Sequence, residues 1–173
     1  MRSGDLSAIV TMVADGGALV RRLFGLSLPV VAACTGHALA AGALVLLGCD
    51  VRVARQPDGT TNHRIGLNEV AIGMVLPQWA MTIATERLSK RHLQRAIVNA
   101  RITDEAGALE AGYLDELVPA DAVFDTAMAR ATELAATLHR GAYIGTVREF
   151  RGPVLERMDA QIAADRAAGI SPV

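Results

Sequence analysis

The chain has 173 residues, a net charge of −1 and a pI near 6.4, so it lacks the basic excess that a nucleic-acid partner usually requires. Half of its residues are hydrophobic but only 3% are aromatic, so its core must be built from closely packed Ala, Val, Leu and Ile. Cys34 and Cys49 lie in apolar surroundings and read as reduced core thiols of a cytoplasmic protein, not as a disulfide or a metal pair. The start of the chain, MRSGDLSAIV, has no secretory h-region followed by a small-residue cleavage site.

Residues 7–25 are helix-like, with Ile9, Val13, Leu19, Val20, Leu23 and Phe24 partly periodic. Leu23 to Cys49 carries no charged side chain and could by length alone cross a bilayer. Pro29 and Gly36 divide the run into pieces too short to span, so no membrane segment is expected. PVVAAC (29–34) reads as a buried strand, Ala38 to Leu47 as a helix of about three turns, and residues 49–54 as a second strand. Strand, helix and strand in that order imply a right-handed βαβ crossover and a parallel sheet.

Residues 55–63 form a polar loop with Pro-Asp-Gly turn chemistry. RIGLNEVAIGMV (64–75) is expected to be a short strand, a turn and an apolar segment. Pro77 suits the first position of a helix reaching about Leu88. Ser89 is the expected cap of a helix running to about Asn99, and Thr103 the cap of another that stops at Gly112. Residues 113–119 read as an edge strand. Asp121 opens a helix on which Phe124, Met128, Ala131, Ala135 and Leu138 form one apolar stripe, for core or subunit contact. Residues 141–169 are helical in character, with a break expected at Gly152-Pro153. No internal repeat is visible. The chain is α/β over residues 1–119, with a helical region over 120–173.

Three ordered blocks carry a family resemblance. PVVAACTGHALAAGALVLLGCDVRVA, then IGLNEVAIGMVLPQWA, then ITDEAGALEAGYLDELVPADAV resemble the crotonase superfamily of enoyl-CoA hydratases and isomerases. The resemblance implies a crotonase-like ββα superhelix with a C-terminal helical region, an acyl-CoA thioester as substrate, and assembly as a homotrimer or a dimer of trimers. Residues 1–119 would be a partial spiral core and 120–173 the oligomerisation region. In this family two backbone N–H groups hold the thioester oxygen as an enolate. One of them maps onto Ala41 of GHALAAG, beside Gly42. Unpaired N–H groups at a helix start suit an anion, and each such donor contributes on the order of 10²–10³ in rate.

The resemblance also implies which carboxylates act. Hydratases pair two glutamates to orient water and deliver a proton. Glu69 stands at the position of the second, and Leu44 at the position of the first. One carboxylate suffices to remove a proton from C2 of a 3-enoyl thioester and return it at C4. The IGLNE run, Gly73, and Pro77 with Trp79 are similar to mitochondrial-type Δ3,Δ2-enoyl-CoA isomerases, with Pro77 and Trp79 expected beside the acyl group, the alternative for Trp79 being a packing role alone. The alternatives are a hydratase using one glutamate and a non-catalytic acyl-CoA binder.

The family's earlier S-A-G-x-D-L segment is expected to precede Met1, with Ser3-Gly4-Asp5 as the alternative match. This chain alone is therefore expected to be less stable and less active than a longer relative. His37 is expected to be structural, and Asn62, His63 and Arg64 to form a solvated loop. Arg52, Arg55, Lys90 and Arg91 form no run that would argue an anion site. No His, Cys, Asp and Glu cluster has metal-ligand spacing and GHALAAG is not a dinucleotide fingerprint, so neither a metal nor a nicotinamide cofactor is expected.

Overall fold

A computed structural model describes residues 6–59 and 63–168; Ser3-Gly4-Asp5 and Asn62 lie outside them. Helix α1 (Leu6–Phe24) is followed by strand β1 (Val31–Cys34), strand β2 (Ala38–Leu39) and helix α2 (Ala41–Leu47). Strand β3 (Val51–Arg55), strand β4 (Ile65–Gly66) and helix α3 (Gln78–Arg87) then repeat the same strand–strand–helix order. Helix α4 (Glu105–Ala111), strand β5 (Glu116–Val118), helix α5 (Val123–Thr137) and helix α6 (Arg140–Ala168) complete the chain.

The two ββα units stack in register. Strands β1, β3 and β5 form a parallel sheet in that order, with Val31 beside Val51 and Val53 beside Glu116. Strands β2 and β4 form a second parallel pair, with Ala38 beside Ile65 and Leu39 beside Gly66. The expected βαβ crossover is therefore present, with a short strand inserted before its helix. The expected helix over 38–47 is shorter than read, because Ala38 and Leu39 pair with β4 instead of coiling.

The uncharged run 23–49 is shared among the end of α1, β1, β2 and α2. Among the described residues, no helix is long and apolar enough to cross a membrane. Its side chains supply the core: Ala43, Leu44, Leu46 and Leu47 are buried together with Val20 and Phe24 of α1.

Further corrections fall in the second half. Helix α6 runs unbroken through Pro153. An internal proline costs about 3 kcal/mol. Beyond it, α6 buries Leu155, Met158 and Ile162 against α1 and α3, each contributing about 1.5–3 kcal/mol, so packing outweighs the break. Arg151 reinforces the join, donating to the Phe24 carbonyl at 2.8 Å and lying 4.6 Å over its ring.

On α5 the face toward the sheet is Val123 and Ala127, packed with Val53. Phe124, Met128 and Leu138 of the expected stripe are exposed, so the stripe is not core. Small side chains let the helix approach the sheet closely, and that turns the larger ones outward. Ser89 caps no helix: Lys90–His92 form a 3₁₀ turn and Gln94–Val98 a π turn. Asp104, not Thr103, caps α4, accepting from Gly107 N–H at 2.8 Å, while Thr103 pairs with Ile65 of β4.

Candidate active site

Strands β2 and β4 run parallel and end together, so the segments that follow them leave the sheet at the same end. Ala41 lies two residues beyond β2 and Glu69 three beyond β4. A parallel arrangement of this kind places side chains and ligands outside the carboxyl ends of the strands.

The side of the site after β2 is shaped by Ala40. Its amide donates to Gly66 O at 3.0 Å, tying the two strand ends together. Its backbone then takes φ 49° and ψ −117°, a left-handed conformation disfavoured for alanine. This turn reorients the following peptide. The first helical bond of α2 is Leu44 N–H to Ala40 O, which leaves the N–H groups of Ala41, Gly42 and Ala43 without intrahelical partners. Ala41 and Gly42 are exposed, whereas Leu44 is buried in the core. Helix α2 is only seven residues long, so the direction of the Ala41 N–H rests on the Ala40 turn more than on a helix dipole. A Cβ at Gly42 would meet nothing closer than Ala38 Cβ at 3.8 Å. Relieving the strain by Ala40→Gly is expected to stabilise the fold by up to about 1 kcal/mol, read as a higher denaturation midpoint.

The carboxylate side is the Asn68–Met74 turn. Glu69 precedes a 3₁₀ turn, Val70–Ile72, which closes at Gly73 with φ 78°. Met74 N–H donates back to Glu69 O at 2.9 Å. The Glu69 side chain is 7% exposed, and its Oε2 is shielded from solvent with no hydrogen-bond partner among the described residues. Burial pushes its pKa above the ordinary carboxylate range, opposed by hydrogen bonding from its own backbone N–H. A buried acceptor without a donor costs free energy, and such a group inside a folded protein is a candidate for chemistry.

Tyr113 lies within electrostatic reach of this carboxylate. It is fully buried, and its hydroxyl lies near the Leu67 backbone without a well-formed hydrogen bond. Burial raises the phenol pKa and the Glu69 charge adds to the rise. Nothing in the sequence singles out Tyr113, because only the return of the chain after α4 brings it within reach of the Glu69 charge.

The remaining expected residues fall in different places. Pro77 is half-buried at the N-cap of α3, one position earlier than expected. The Trp79 ring is buried between α1 and α6: a Cβ on Gly17 would lie 2.8 Å from it, and that same Cβ would lie 3.0 Å from Ile162. His37 is exposed, and its Nδ1 accepts from Arg64 N–H at 2.9 Å. His63, expected in a solvated loop, is buried: its ring meets His37 edge to face at 5.7 Å and its Nδ1 lies 3.4 Å from the fully buried Glu105. Arg52 is also buried, held by Asp115 at 2.7 Å and the Gly112 carbonyl at 2.8 Å.

The fold agrees with comparisons to known proteins. The chain belongs to the enoyl-CoA hydratase/isomerase family, whose model matches residues 11–166. It is similar to mouse mitochondrial enoyl-CoA delta isomerase 1, at 34% identity over 106 residues, 61% of this chain and 36% of the mouse protein. It is also similar to a probable enoyl-CoA hydratase of Mycolicibacterium paratuberculosis, at 32% identity over 136 residues, 77% of this chain and 51% of that protein. A solved enoyl-CoA hydratase/isomerase family protein from Pseudomonas syringae superposes with a TM-score of 0.89 at 35% identity, covering 98% of this chain and 71% of the other. The ββα superhelix is thus that of the crotonase fold. The chain spans between about a third and a half of the length of these curated relatives.

Proposed function

We propose that this chain carries the site of a Δ3,Δ2-enoyl-CoA isomerase, with Glu69 as the sole acid and base. The carrying observation is one buried carboxylate, Glu69, at the strand end that also presents the Ala41 N–H, with the aliphatic Leu44 at the position where the resemblance to hydratases calls for a second glutamate. Glu69 takes a proton from C2 of a 3-enoyl thioester. The electron pair passes through the enolate, to whose oxygen the Ala41 N–H donates. Glu69 then returns the proton at C4, leaving the 2-enoyl thioester. Leu44 offers water no polar group, which disfavours hydration. The shuttle needs no group beyond the CoA carried by the substrate.

Because burial holds the Glu69 carboxyl protonated further up the pH scale, the base form is lost earlier as pH falls. The acid limb of kcat/KM against pH is expected above the range of an exposed glutamate. Product analysis tests the reaction itself. A 3-enoyl-CoA substrate should yield 2-enoyl-CoA, and a 2-enoyl-CoA substrate should yield no 3-hydroxyacyl-CoA. The reverse pattern would favour a hydratase, as the mycobacterial relative is named, and no turnover of either a binder.

The assembly proposed with this activity is a homotrimer or a dimer of trimers. Exposed Phe124 and Met128 on α5 offer an apolar contact for it. Phe124→Asp is expected to lower the sedimentation coefficient toward that of a single chain.

A further inference from the structure

A cavity of about 110 Å³ lies between the turns of residues 90–98, α4 and Tyr113. Arg91, Arg95 and Arg101 line it, with Thr103, Tyr113 and the carboxylate-bearing Glu110. The proton shuttle uses none of the arginines.

Two uncommon backbone features bring these arginines together. Gln94–Val98 form a π turn, closed by Asn99 N–H to Gln94 O at 3.1 Å. Such turns are rare and frequent at functional sites. Arg101 N–H then donates to Arg95 O at 2.9 Å, with Ala100 between them held at φ 48°. A left-handed alanine stores backbone strain, which the surrounding structure has to impose. The outcome places Arg95 and Arg101 at one mouth.

The charge there is unbalanced. Three guanidinium groups face the single carboxylate of Glu110. Arg91 Nε donates to His92 Nε2 at 2.9 Å, and among the described residues no carboxylate pairs with Arg95 or Arg101. Two lining residues connect the cavity to the candidate active site. Thr103 is bonded in both directions to Ile65 of β4, at 2.9 and 3.0 Å, and Tyr113 lies within the field of Glu69. The space is well below the roughly 300 Å³ of a pocket for a drug-sized ligand, so it suits one small polyatomic group. Clustered guanidinium groups match the planar, bidentate geometry of carboxylate and phosphate oxygens.

We propose that the Arg91, Arg95 and Arg101 cavity binds an oxyanion group of the acyl-CoA ligand, either a carboxylate at the far end of the acyl chain or a phosphate of the CoA moiety. The inference rests on the reading of the site as one for acyl-CoA thioesters.

Calorimetric titration with saturated thioesters, on which no turnover occurs, tests it. One arm compares the CoA thioester of a dicarboxylic acid with that of the monocarboxylic acid of equal length. The other compares a CoA thioester with the corresponding pantetheine thioester, which has no phosphate. In one arm the unmodified protein should prefer the charged ligand by about tenfold or more, the effect of a charge-assisted hydrogen bond, and that preference should shrink as salt rises. Arg95→Gln and Arg101→Gln, made singly at these exposed positions, should each reduce the same preference. Loss in the first arm identifies the acyl carboxylate, and loss in the second a CoA phosphate. No preference in either arm, or one that both variants retain, overturns the proposal. A protein that shows the preference but no isomerisation refutes only the isomerase reading. One that isomerises without the preference refutes only this inference.

Discussion

Glu69→Gln is expected to lower turnover of 3-enoyl-CoA by about 10²–10⁴-fold, the contribution of a positioned general acid and base. Glutamine keeps the shape and the burial, so the fold and the site around the 3₁₀ turn should persist. What disappears is the only group proposed to accept the C2 proton. KM should change little, because the carboxylate is assigned no part in holding CoA. A drop in kcat with KM nearly constant is the signature of an interaction used in the transition state. Steady-state kinetics with the purified variant measure both. Retention of turnover would mean that another base acts, and Leu44 makes the position matched to the first glutamate a poor source of one.

Gly66→Ala is expected to destabilise the protein by about 2–6 kcal/mol, combining backbone strain with overpacking. Gly66 ends β4 at φ 147°, and a Cβ there would lie 2.8 Å from the Arg101 carbonyl oxygen, a backbone atom with little freedom to retreat. The same residue accepts the Ala40 N–H that fixes the turn before α2. The substitution should therefore weaken activity as well as stability. Gly73→Ala is the internal comparison. Gly73 has φ 78°, but a Cβ there would meet nothing within 4 Å. It pays conformational strain alone, about 1–2 kcal/mol. Equilibrium denaturation of the two variants should separate them clearly. Equal losses would contradict the close packing of Arg101 on β4.

The sequence was most legible where residues act locally or in long runs. The strand–helix–strand order from Pro29 to Ala54 follows from β-branched residues and proline and glycine punctuation, and β1 and β3 do pair in parallel. The repeat of the ββα unit was invisible because β2 and β4 are two residues each, too short to carry a period. Helix α6 passes through Pro153 because contacts with α1 and α3, absent from any local signal, hold both halves. The α5 stripe was correctly periodic, but periodicity does not say which face meets the sheet.

The site divides in the same way. Glu69 and Ala41 could be picked out as residues, yet that their segments leave the sheet at the same end depends on the β2–β4 pairing. Tyr113 and the arginine cavity were beyond reach, since Arg91, Arg95 and Arg101 are scattered in sequence and gathered only by a π turn and a left-handed alanine.

In the proposed shuttle one shielded carboxylate carries the proton from C2 to C4. The most direct measurement is the fate of deuterium in a 3-enoyl-CoA labelled at C2 and converted in ordinary water by the unmodified chain. The expected result is a 2-enoyl-CoA product with part of the label at C4, read by mass spectrometry and NMR. A product whose C4 hydrogen comes wholly from solvent, or a 3-hydroxyacyl product, would contradict it.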